Sequence, residues 1–152
     1  MNKEKSIDAL NMLIEINNDR IKGYETALNE TEEGDLKKIF SMFLQTSQKC
    51  KVELVTEVNK LGGSPIEGTK TSGKFFRVWM DVKAALTGKN RKEILSSCEY
   101  GEDAAIDTYN KVLKNDIENI TSEQQTLINA QLVLLKADHD KVKSMRDLMV
   151  EH

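Results

Sequence analysis

A chain of 152 residues with 39% hydrophobic and 31% charged residues and a single proline is long enough to bury a core without staples, and too apolar for a disordered segment. Its formal charge of −3 argues against a general nucleic-acid binder, which needs a basic face to neutralise phosphates. No apolar run approaches the roughly 18 residues that span a bilayer, and the opening MNKEKSIDAL lacks the apolar core of a secretory signal, so a cytoplasmic protein with no membrane partner is expected.

Four long segments carry apolar residues at alternating three- and four-residue steps, the signature of amphipathic helices, and predict one all-α domain over 1–152. The first, about 6–31, carries Ile7, Leu10, Ile14, Asn17, Ile21, Tyr24 and Leu28, with Ser6 as its expected N-cap. The second, about 35–61, opens at Asp35 after Gly34 and carries Leu36, Phe40, Phe43, Ser47, Cys50, Leu54, Val58 and Leu61. Gly62 and Gly63 should stop it. The third, about 90–114, begins with Asn90 and Glu93 at capping-box spacing; its stripe holds Leu95, Cys98, Glu102, Ala105, Tyr109 and Val112. The fourth, about 121–150, begins with Thr121 and Gln124 at the same spacing and carries Ile128, Leu132, Leu135, Val142, Met145 and Met149. Cys50 and Cys98 both fall on apolar stripes and read as reduced core thiols, and the six methionines read as core filler.

The first and second helices, and the third and fourth, are joined by short connections and should pair antiparallel. Between the second and third lies a longer connector with two turn-rich clusters around a short helix, about 74–87, whose Phe75, Trp79, Val82 and Leu86 share a face. It can reach from one end of a bundle to the other. From Thr69 to Lys92 seven basic residues face one acid, a local charge of +6. Such a stretch could steer an acidic partner or a lipid surface, but pairing with the acidic helices is the simpler expectation.

The stretches IEINNDRIKGYETAL, LGGSPIEGT, TSGK, RVWMDVKAALTGK, CEYGEDAA and ADHDKVKSMRD together resemble the bacterial domain-of-unknown-function family 2383, four-helix-bundle proteins of the ferritin-like superfamily. The resemblance covers nearly the whole chain. Its most specific part is the connector with Trp79 followed by GEDAA. It implies a ferritin-like four-helix bundle with one long crossover, and no established activity.

Ferritin-like di-iron proteins take a Glu from each of two helices and a Glu-x-x-His pair from each of the other two. This chain has two histidines, His139 and the final residue His152, and the position three before His139 is Lys136. A standard di-iron centre is therefore not expected. Asn17, Ser47 or Gln48, Glu102, and Asp138 or His139 all fall near mid-helix, at levels that would meet in a bundle. An ionised Glu102 withdrawn from water costs several kcal/mol unless it is paired. Three arrangements stay open. Glu102 belongs to a metal-free polar layer with Asn17, Tyr24 and His139; it sits at the rim in reach of solvent; or it joins His139, Asp138 and Glu99, with Asp103 nearby, around iron or another divalent metal.

Gly23 and Gly101 lie inside predicted helices, where each costs about 1 kcal/mol relative to alanine. They leave room for a neighbouring backbone or ring, or are simply tolerated. No nucleophile elbow, phosphate loop, zinc spacing or dinucleotide fingerprint is present. The expectation is a non-enzymatic structural or protein-interaction module, self-associating or bound to another protein, with no cofactor. The alternative is a metal-binding protein with a reduced carboxylate and histidine site.

Overall fold

The computed structural model describes residues 2–68 and 91–150, with side chains through Leu148. Among them the chain forms four helices, α1 (Lys3–Glu30), α2 (Gly34–Lys60), α3 (Arg91–Asn115) and α4 (Ser122–Val150), with a 3₁₀ turn at Ile117–Asn119. None of these helices is long and apolar enough to cross a membrane. The expected short helix at about 74–87 lies outside the described residues, as do the basic residues of that stretch other than Arg91 and Lys92.

Local chemistry sets most of the boundaries. At the start of α1, the Asn2 side chain accepts a hydrogen bond from the Lys5 amide at 3.2 Å, so the helix begins about one turn earlier than the expected cap at Ser6. Ser6 has another task. It is fully buried, and its hydroxyl donates to the carbonyl of Asn119, tying the base of α1 to the turn that follows α3. α4 opens with the predicted reciprocal pair: the Gln124 amide donates to Thr121 Oγ1 and the Thr121 amide to Gln124 Oε1, each at 3.0 Å. α2 stops where Gly62 takes φ +76°, a left-handed conformation that costs any L side chain strain. Its neighbour Gly63 lies so close to Ile7 that a Cβ there would sit 2.8 Å from that side chain.

The packing partners are α1 with α2, α3 with α4, α1 with α3, and α2 with α4. Cross-links fix the directions. Along α1, Ser6, Asn17 and Arg20 meet Asn119, Tyr109 and Glu102, a descending series that makes α1 and α3 antiparallel. Every neighbouring pair is antiparallel, so α2 and α3 sit on a diagonal and run the same way. The end of α2 therefore lies at one end of the bundle and the start of α3 at the other. Arg91 confirms the second placement by pairing with Glu33 at 3.1 Å, beside the first turn of α2. Leaving α2, the chain turns back along α1. Asn11 donates to the Ser64 carbonyl and accepts from the Ile66 amide, while Asn18 donates to the Gly68 carbonyl.

The buried apolar side chains form two clusters stacked along the bundle. One gathers Leu10, Leu13, Ile14, Leu54, Val58, Tyr109, Val112, Ile128 and Leu135. The other gathers Tyr24, Leu36, Phe40, Phe43, Leu95, Cys98 and Val142. On every helix the gap between them is filled by polar residues. Both cysteines are free and buried, and burial pushes the Cys50 thiol up to about 11 and Cys98 further, as expected for core thiols rather than reactive ones.

Gly62→Ala is expected to cost about 1 kcal/mol in urea unfolding, because alanine must hold the left-handed conformation that ends α2. An unchanged unfolding midpoint would contradict that cause.

Candidate functional site

The gap between the two apolar clusters holds an arginine. Arg20 is entirely buried, and its guanidinium reaches all three other helices. Nη1 donates to Ser47 Oγ on α2 at 2.6 Å, while Nη2 donates to Glu102 Oε1 on α3 at 2.7 Å and to Asp138 Oδ2 on α4 at 3.2 Å. Tyr24, one turn along α1, donates its hydroxyl to the same Glu102 oxygen, and the guanidinium carbon lies 5.4 Å from its ring centroid. Phe43 and Phe40 pack on the other sides of that ring, at 5.3 and 5.8 Å between centroids.

These contacts explain the charge states. Burial works against the cation on Arg20, but Glu102, Tyr24 and Asp138 outweigh it, and the guanidinium is held charged above its ordinary range. Burial, reinforced by Glu102, pushes the Tyr24 hydroxyl well up, so it stays a donor. The Asp138 carboxyl is pushed up to about 6, by burial first and then by Glu102, against the pull of Arg20. Glu102 Oε2 and Arg20 Nε are buried without a protein hydrogen-bond partner, which lowers the net worth of the cluster to stability.

A second relay crosses the bundle about one turn away. Asn17 donates to the Leu13 carbonyl and to Tyr109 Oη, both at 2.8 Å. The Tyr109 hydroxyl donates to Gln131 Oε1 at 2.7 Å, and Gln131 Nε2 donates to the Cys50 carbonyl at 3.2 Å and to Glu53 at 3.1 Å. This chain too touches every helix.

The residues named from sequence are thus distributed over three places. Tyr24 and Glu102 meet as members of one layer, with Ser47 and Asp138. Asn17 lies in the neighbouring relay, bonded to Tyr109 rather than to Glu102. His139 is in neither. It lies in the outer groove between α3 and α4, its Nε2 2.8 Å from Asp103 and 3.8 Å from Glu99. The four residues suggested as metal ligands are correspondingly split: Glu102 and Asp138 face Arg20 inside, and Glu99 and His139 face each other outside. Glu102 is 1% exposed and so is not at a rim. Gln48 and Lys136 take no part.

Helix geometry accounts for this division. Consecutive residues on a helix are about 100° apart, so Asp138 pointing inward turns His139 outward. The same rule separates Arg20 from Ile21. After Asn17 the core position falls three residues on, at Arg20, and Ile21 is only half-buried. An arginine on a core face is rare enough that hydrophobic pattern reading passes over it. The signal available was Glu102, a carboxylate in need of a cation.

A di-iron centre does not fit these residues. Its carboxylates would have to converge on metal where Glu102 and Asp138 already converge on a guanidinium, and among the described residues no imidazole points into that layer.

The family model described as Domain of unknown function (DUF2383) matches residues 5–115. A search of curated proteins finds no match.

Arg20→Met is expected to cost about 3–5 kcal/mol in urea unfolding, since it leaves a buried carboxylate without its cation. Combining it with Glu102→Leu should recover most of that loss; additive costs in the double variant would show that the two side chains are not coupled. Asp138 titrates in the opposite sense to an ordinary ion-paired acid. Its folded pKa lies above its ordinary 3.8, so the folded state holds the proton more tightly. The resulting stability is present below about pH 4 and is lost as pH rises through about 6. Asp138→Asn should therefore gain relative to the parent between those limits, by about 1–2 kcal/mol after solvent screening. Parallel unfolding curves at both pH values check it, and a difference independent of pH would refute it.

Proposed function

Starting from the fact that the chain belongs to the DUF2383 family, whose members share a domain without an assigned activity, we propose that it is a non-enzymatic helical bundle acting as a structural or protein-interaction module. The observation that carries this reading is the Arg20 guanidinium lodged between Glu102, Asp138 and Ser47. At the level where an oxidative four-helix bundle would keep metal and substrate, this chain keeps a fixed internal cation. Glu102 Oε1 and Asp138 Oδ2 are committed to that cation, Oε1 also to Tyr24, and Glu102 Oε2, without a protein partner, is sealed in the interior. The catalytic uses of a central carboxylate, as ligand, base or nucleophile, all require an oxygen open to a reacting partner.

The two polar relays suit a module whose task depends on its shape. Buried polar groups that must find one another select a single helix register. A fixed register presents a fixed outer surface, on which self-association or a protein partner depends.

Purification without chelator from iron-supplemented cells should give protein with substoichiometric iron, unaffected by Glu102→Gln. Asn17→Leu, which breaks the relay through Tyr109, should change the stability or the mass measured by light scattering. Two irons per chain, lost on Glu102→Gln, would overturn the reading.

A further inference from the structure

His139 stands among carboxylates from two helices. Its Nε2 faces Asp103 Oδ1 at 2.8 Å and Glu99 Oε1 at 3.8 Å, both on α3, while Nδ1 lies 3.2 Å from Asp140 Oδ1 on its own helix. One ligand atom from each of Glu99, Asp103 and His139 can be chosen so that all three lie within 4.8 Å of one another. The other Glu99 oxygen, Oε2, accepts from Arg146 Nη1, which fixes that carboxylate with Oε1 turned toward the ring.

A carboxylate can only accept, so the tautomer that satisfies the Asp140 contact carries its proton on Nδ1. That leaves Nε2, which faces two further carboxylate oxygens. Two species satisfy it: a second proton, giving an imidazolium, or a cation shared between a neutral imidazole and the oxygens. We propose that Glu99, Asp103 and His139 form a surface site for a first-row divalent cation of the zinc class, clamping α3 to α4.

Three features favour the cation over the proton. Arg146 already offsets the charge of Glu99, which leaves Asp103 and Asp140 facing the ring, and a divalent ion offsets both where a proton offsets one. The Nδ1 contact with Asp140 is the outer-shell pairing that orients a metal-bound imidazole and raises its basicity, and Arg146 does the same orienting work for Glu99. The spacing is within easy reach of a coordination shell. Ligand atoms at about 2.0–2.1 Å from a tetrahedral ion lie about 3.3 Å apart. Asp103 must then withdraw from Nε2 by about half an ångström, and Glu99 approach by a similar amount. Asp103 has room to move, its side chain being 58% exposed, whereas Glu99, at 14%, moves together with its partner Arg146. One nitrogen and two oxygens suit zinc, cobalt and their neighbours better than thiolate-seeking ions. This site shares no residue with the Arg20 layer, so metal held here does not respond to Glu102→Gln, and the two readings can fail separately.

Calorimetric titration of chelator-stripped protein with zinc chloride, with nuclear magnetic resonance of the His139 ring in parallel, tests the site. One equivalent of zinc is expected to bind and to shift the His139 imidazole resonances with Nδ1 still protonated. His139→Ala and Asp103→Asn should each weaken binding at least about tenfold, a loss of about 1.4 kcal/mol, with circular dichroism confirming that both variants fold. Asp107→Asn, an exposed acid on α3 paired with Lys111, should bind as the parent does. Absence of both heat and ring shifts under excess zinc, or binding that survives His139→Ala, would overturn the proposal.

Discussion

A guanidinium cannot shed its charge under any condition in which a protein folds, and the rest of this bundle is arranged around that fact. Once Arg20 is inside, the interior must supply acceptors from several directions, and it does so from α2, α3 and α4. Glu102 and Asp138 are then not anomalies of patterning. They are the counter-charges of a cation that is entirely buried. Tyr24 completes the arrangement by covering the guanidinium with its ring and donating its hydroxyl to Glu102, so one aromatic side chain serves both ions.

Placed between the two apolar clusters, this layer makes misalignment of the helices costly. Leucine-rich faces slide past one another at little cost, whereas a one-turn slip of about 5.4 Å would strand charges in hydrocarbon. The Asn17, Tyr109 and Gln131 relay repeats the constraint about one turn along, with neutral groups. Two independent polar levels, each touching every helix, fix both the height and the rotation of all four. A single level would leave tilt less defined.

The architecture was legible because each helix announces itself by a long stripe, and two of them by local start or stop chemistry: Thr121 with Gln124, and Gly62 with its left-handed backbone. The helix pairing followed from connection length. The family was legible from short segments spread along the chain, and its model match confirms it over residues 5–115. The site was legible only in part. Glu102 stood out as a carboxylate on an apolar stripe, but its partner was hidden by an ambiguity built into the 3.6-residue period. From Asn17 the next inward position can fall three or four residues on, and hydrophobicity favours Ile21 over Arg20. The same three-or-four choice on α4 decides between Asp138 and His139. Both helices take the shorter step, and both take it at the polar level. Local pattern cannot reveal that coincidence, because it is set by partners more than 80 residues away in sequence, as in the hydrogen bond from Arg20 to Glu102.

Asn11 and Asn18 grip the departing chain by its main-chain groups: three carbonyls and one amide at residues 64, 66 and 68. A carboxamide reads peptide units and ignores what they carry, so side-chain identity matters to the docking of this strip chiefly at Ile66, which packs against the apolar cluster. One chemical restriction survives. Residue 66 must keep its N–H, which imino acids lack, whereas position 65 has no such duty, and it is there that the chain's lone proline resides.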